Sequence, residues 1–164
     1  SGLWRYKIGD TVKFTCLNPF RIKITGRTKH FINVFGEELV IENAEKALSL
    51  TSELTKSSIS DYTVGPVFMG SKTKGSHEWL IEFDKQPDDL NKFMEILDLN
   101  LQSLNSDYEA KRYKSSTLKL PKLIVARKNL FYDWLSSKNK LGGQNKIPRL
   151  SNSREFIEEL ISMN

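Results

Sequence analysis

The sequence predicts an α+β domain in which helices flank a small mixed β-sheet. Three observations predict it. Short runs of Trp, Tyr, Ile, Val and Phe, punctuated by Gly, Asn and Pro, fill residues 3–34 in the manner of strands and turns. Apolar residues recur at three- and four-residue spacing after Leu39 and again after Leu90. Between those two stretches lie two strand-like runs joined by a polar, glycine-bounded connector.

Taken in order, Gly9-Asp10 and Asn18-Pro19 supply turns among the first strands. Leu39, Val40, Ala44, Ala47, Leu48 and Leu50 predict a helix over 40–54, with acidic residues early, where they complement the helix dipole. Ile59 to Met69 and Glu78 to Phe83 predict a hairpin around Gly70-Ser71-Lys72-Thr73-Lys74-Gly75. Asp88 and Asp89 then open the clearest amphipathic helix, carried by Leu90, Phe93, Met94, Leu97, Leu101 and Leu104. Asp107 to Lys114 reads as a short helix or turn, Leu118 to Ala126 as a strand, and 130–138 as a helix ending near Gly142-Gly143. Ser151 or Ser153 is expected to cap a last helix bearing Phe156, Ile157, Leu160 and Ile161. The chain has no internal repeat and no low-complexity tract.

The bulk composition fits this picture. At 164 residues, 38% hydrophobic and 27% charged, the chain has the length and balance of a globular domain with a real core. No apolar run approaches the roughly 20 residues of a membrane-spanning helix. The lone Cys16 has no partner for an intramolecular disulfide and suits a reducing cytoplasm, where it reads as a small, partly buried apolar residue. The net charge of +5 bears on encounter with anions rather than on fold. The opening Leu3-Trp4-Arg5-Tyr6-Lys7-Ile8-Gly9-Asp10 reads as mid-strand, an expectation that the chain starts inside something larger.

Three segments place charged side chains on turns, where a scaffold can aim them at a ligand. They are Tyr6-Lys7-Ile8-Gly9-Asp10, then Gly26-Arg27-Thr28-Lys29 followed by Gly36-Glu37-Glu38, and finally Gly143-Gln144-Asn145-Lys146-Ile147-Pro148-Arg149. Each alone is an ordinary surface turn. In this order they resemble the adenylate-forming superfamily, which runs from a Tyr-x-x-Gly-Asp turn through a Gly-Arg hinge to a C-terminal lysine. Gly2 to Asp10, Leu104-Asn105-Ser106-Asp107-Tyr108 and Asn145 to Arg149 together resemble, within it, the auxin-responsive acyl-acid amido synthetase family of plants and its bacterial relatives.

That resemblance implies an enzyme piece: the C-terminal lid, residues 26–164, of a ligase that adenylates a carboxylic acid with ATP and Mg²⁺ and passes the acyl group to an amine or amino acid. Residues 1–25 would be a strand segment ending a large N-terminal domain, the lid's own partner, and the lid alone would be inactive. Asp10 would hold the ATP ribose, since a carboxylate accepts hydrogen bonds from both hydroxyls. Tyr6 would sit beside it or serve packing. Lys7 replaces an arginine usual in plant members and loses bidentate phosphate geometry. Arg27 and Lys29 would flank the hinge, although plant members often lack the glycine before them. Gly36 would support a loop entering the site in the second step. Lys146 would be the catalytic lysine, a point charge for carboxylate and α-phosphate, with Arg149 assisting or fixing its loop.

Rival readings remain beside it. The basic stretch Lys111-Arg112-Tyr113-Lys114, with Lys119, Lys122, Arg127 and Lys128, could contact nucleic acid, but acidic neighbours and missing aromatic platforms favour a solvated face. A noncatalytic interaction module is the other. His30 and His77 are too isolated to suggest a metal and read as packing residues.

Overall fold

The structure is a computed structural model that describes residues 10–27, 31–68, 74–115, 117–142 and 146–164. Strands β1 (Asp10–Leu17) and β2 (Phe20–Arg27) form an antiparallel hairpin about Asn18-Pro19. Alternation in this hairpin is interrupted by irregularities between Thr11 and Val12 and between Phe14 and Cys16. The cross-strand pairs Val12 with Ile24, Phe14 with Ile22 and Leu17 with Phe20 are apolar, whereas Lys13 faces Lys23. Phe20 is 76% exposed and Phe14 54% exposed, so this apolar ladder meets solvent.

A two-residue ladder, β3 (Phe31–Ile32) with β4 (Leu39–Val40), leads into α1 (Ile41–Thr55). Strands β5 (Ser58–Val67) and β6 (Ser76–Lys85) are the antiparallel hairpin that the sequence predicts. Asp89 caps α2 (Leu90–Leu104), accepting from the amides of Asn91 and Lys92. The short helix expected after the long one is α3 (Ser106–Arg112), capped by Asn105 through the Tyr108 amide. The chain then returns as β7 (Lys122–Ala126), parallel to β6, and closes with α4 (Leu130–Ser137) and α5 (Glu155–Met163).

The sheet order β5-β6-β7 combines one antiparallel and one parallel pairing, which makes it the small mixed sheet the sequence predicts. It divides two cores. Trp79 and Ile81 of β6 point to one face, against Ala44, Leu48, Phe93 and Leu97 of α1 and α2. Leu80, between them, points to the other and packs with Leu130, Trp134, Ile157 and Leu160 of α4 and α5. Period-two alternation thus sends apolar side chains of β6 into both layers, with Ser76, His77 and Glu82 also buried along the strand. Gly65 permits the second layer to close: a Cβ there would lie 2.9 Å from Ile157 Cγ2.

Two expectations are corrected. Neither Ser151 nor Ser153 caps the last helix. Its N-cap position is Arg154, with no side-chain cap, because Ser151 Oγ accepts instead from the Ser153 amide and closes a local turn. The last strand is also shorter than 118–126. Leu118 donates its amide to Lys111 and makes an isolated bridge to Gly75, and regular pairing starts after Pro121.

Candidate functional site

The segment carrying Lys146 and Arg149 is held against the free edge of β5. The Val64 amide donates to the Arg149 carbonyl at 2.9 Å and the Ser151 amide donates to the Val64 carbonyl at 3.1 Å, giving a parallel bridge between Val64 and Leu150. Thr63 Oγ1 donates to the Pro148 carbonyl at 2.7 Å. Ile147 is buried with Leu80 and Leu130 in the second core. Its burial fixes the backbone beside Lys146, whose side chain is exposed.

Arg149 is a clamp. Its Nη1 donates to the Asp61 carboxylate and, at 3.0 Å, to the Tyr62 carbonyl, while the guanidinium lies 4.7 Å above the Tyr62 ring. Burial pulls Arg149 below the ordinary guanidinium range, and the nearby Glu45 opposes that pull. These bonds hold the Arg149 side chain on β5.

Gly36 adopts φ +80°, which favours glycine, and a Cβ there would stand 3.2 Å from Lys111 Nζ. Its neighbour Glu37 is fully buried: Oε2 accepts the Phe35 amide at 2.7 Å and Oε1 meets His77 Nε2 at 2.8 Å. Burial alone pushes the Glu37 carboxyl up, but the His77 bond and charge and the backbone donors outweigh it and hold the carboxyl below the usual carboxylate range. His77 thus packs beside the Phe35 and Tyr108 rings and is hydrogen-bonded to Glu37. Asn152 joins this loop to the lysine-bearing segment, since its Oδ1 accepts from Asn33 N at 2.8 Å and its Nδ2 donates to Phe31 O at 3.0 Å.

The structure thus brings Gly36, Lys146 and Arg149 into linked segments. The backbones of Asp10 and Arg27 pair as the last rung of the first hairpin, and nothing among the described residues ties that rung to Lys146. The side chains of Asp10 and Arg27, and all of Tyr6, Lys7, Lys29 and His30, lie outside the described residues. Among the described residues no group of three or more His, Cys, Asp or Glu could hold a metal, and no helix is long and apolar enough to cross a membrane.

Sequence reasoning missed a buried polar cluster centred on Asp98. Its carboxylate accepts from Tyr108 Oη at 2.7 Å and from Arg112 Nε and Nη2 at 2.7 and 2.8 Å, while Arg112 Nη1 donates to the Leu118 carbonyl. Burial, with the Asp98 charge beside it, raises the Tyr108 hydroxyl far above its ordinary range. The available signal was Asp98 on the apolar face of a helix, with a tyrosine and an arginine one and two short stretches later. The cluster also removes Arg112 from the basic stretch that supported a nucleic-acid reading.

This architecture has known counterparts. The family model described as the GH3 family C-terminal domain matches residues 42–155. Among solved structures the chain is similar to one titled "GH3.15 acyl acid amido synthetase", with TM-score 0.76 and 20% identity over 99% of this chain and 32% of that one. It is also similar to "AtGH3.15 acyl acid amido synthetase in complex with 2,4-DB", with TM-score 0.72 and 20% identity over 99% of this chain and 31% of that one. The chain therefore spans about a third of the length of those proteins. No curated protein matches it. Because the family model spans well over half of the residues, and the α+β fold agrees throughout, this chain belongs to the GH3 family as a C-terminal domain.

Proposed function

We propose that this chain is the small lid of a two-step ligase that adenylates a carboxylic acid and transfers the acyl group to an amine or amino acid. The observation that carries the reading is the Lys146–Arg149 segment: its backbone is bonded to β5, Ile147 and Arg149 anchor it on either side of Pro148, and the ammonium of Lys146 is left exposed. An exposed cation on a fixed backbone is suited to an anionic partner brought by another domain, because its position costs little reorganisation. ATP, when bound, supplies the leaving group, pyrophosphate, that makes the carboxyl reactive. Lys146 then offsets negative charge at the carboxylate and α-phosphate, and Asp10 accepts the ribose hydroxyls. Magnesium is assigned to ATP and to the larger N-terminal part rather than to this chain.

In this reading residues 1–25 belong with that larger part, and Gly26-Arg27-Thr28-Lys29 is the hinge. Two facts support it. Gly26 and Arg27 are the last residues of β2, and the hairpin they close exposes an apolar face that a second domain would cover. The isolated lid is inactive on this account, and the single Cys16 keeps the proposed location cytoplasmic.

The test is pyrophosphate exchange by the full-length parent with ATP and candidate acids. Lys146→Ala is expected to cut exchange by about 10²-fold, the usual cost of one lost electrostatic donor, and Asp10→Ala to weaken ATP binding. Exchange that survives both substitutions unchanged removes the assignment.

A further inference from the structure

The two outer edges of the mixed sheet are finished differently. The edge of β5 is sealed by the bridge from Leu150 to Val64. Strand β7 ends the sheet on the other side, and no strand pairs with its outer edge among the described residues. At its far end the Val125 carbonyl accepts from Asn164 Nδ2 at 3.1 Å and the Arg127 amide donates to Asn164 Oδ1 at 2.7 Å. The side-chain amide of Asn164 thus stands where one peptide unit of an added strand would stand. Since main-chain groups of a strand alternate in direction, Leu123 turns its amide and carbonyl outward with those of Val125. Nothing among the described residues bonds to that outward pair on Leu123.

Beside this edge a groove of about 690 Å³ runs between α2 and β7, with Leu90, Met94, Leu120, Leu123 and Val125 along it. Its charge is mainly positive. Lys122 lines it, and Lys119 and Lys128 lie just before and just after the strand; all three are exposed, and none pairs with a carboxylate among the described residues. Glu95 is the one acidic residue of the lining. A second copy of this chain would bring the same lysines against one another, and lysine on an edge strand keeps like edges apart. The same charges attract an acidic strand. We propose that the outer edge of β7 docks an extended segment of a partner protein in which apolar and acidic residues alternate. Its main chain would bond to Leu123 and Val125, its apolar side chains would enter the groove over Leu90 and Met94, and its carboxylates would meet Lys119, Lys122 and Lys128. The proposal goes beyond the ligase reading and needs nothing from it.

The experiment is an amide NMR titration of this chain with a capped peptide of about eight residues that alternates valine and glutamate. Saturable shifts are expected at Leu123 and Val125. Two control peptides, one with lysine in place of glutamate and one with its backbone amides N-methylated, are each expected to bind about tenfold more weakly or worse. Lys119→Glu with Lys122→Glu, both at exposed positions, is expected to weaken the glutamate peptide by a similar factor while the rest of the spectrum is unchanged. The proposal is overturned if neither amide responds, if either control peptide binds as well, or if the double variant binds normally. Concentration-dependent shifts of the same amides without peptide would make a second copy the occupant and overturn it as well. In the full-length parent, hydrogen exchange over residues 118–127 is expected to slow when the glutamate peptide is added. Full protection before any peptide is added would assign the edge to another part of the parent and overturn the docking site.

Discussion

The two hairpins of this domain draw on the same alternating β-branched and aromatic residues, yet β1 and β2 present their apolar pairs to solvent while β5 and β6 are covered on both sides. The difference lies in what packs against each hairpin. Strand β7 pairs with the edge of β6, and α1, α2, α4 and α5 supply two apolar layers, whereas among the described residues no such layer lies over Val12, Phe14, Ile22 and Ile24. Alternation tells which residues share a face, and burial is then set by the rest of the fold. An isolated two-stranded hairpin is marginal in water, which is why an exposed ladder of this kind points to a missing cover.

Substitutions can break or sharpen that contrast. The largest effect is expected in the covered hairpin: Trp79→Ala, at a fully buried position, should cost about 3–5 kcal/mol in urea denaturation. Asp98→Ala leaves Arg112 and Tyr108 without their shared acceptor and should cost roughly 3 kcal/mol by the same measurement. A loss well under 1 kcal/mol would mean that water replaces the carboxylate.

A smaller, pH-dependent effect is expected at Glu37. Its carboxyl titrates lower in the folded chain than its ordinary value of 4.5, so its contribution is present in full above that value and drains away as pH falls through the folded one. Glu37→Gln should therefore flatten the acid side of a melting-temperature profile below about pH 4.5 and leave its shape near neutrality unchanged. Smallest of all should be Phe14→Ser with Ile22→Ser, within about 0.5 kcal/mol on this chain. The same pair should lower the stability of the full-length parent by several times more, and equal effects in both settings would show that nothing covers the ladder there.

Much of the fold was legible because local rules and packing agree. Asp88 and Asp89 ahead of a three-and-four-spaced apolar series gave α2, and the strand runs on either side of residues 70–75 gave the central hairpin. Ser151 and Ser153 misled because a hydroxyl near a helix start serves equally well in a turn of its own, and the competition is settled by tertiary bonds such as those of Asn152. The sequence singles out Lys146 and Arg149 but not the bonds that hold their segment on β5. Arg149 reads as a turn cation until Asp61 and Tyr62, far away in sequence, are brought beneath it. Glu37 and His77 looked like a surface turn and a lone histidine for the same reason. The Leu104 to Tyr108 stretch, read as a family mark, turns out to hold the cap of α3 and the tyrosine that bonds Asp98.

The bridge from Leu150 to Val64 also sets an order of events. During synthesis β5 emerges long before the segment that seals its outer edge, so for that interval the strand offers unpaired amides and carbonyls to any neighbour. A chain truncated just after residue 145 would keep most of its helices and yet hold that edge permanently open. Such a product is expected to self-associate through β5, a vulnerability written into the sheet by the late arrival of its fourth, one-residue rung.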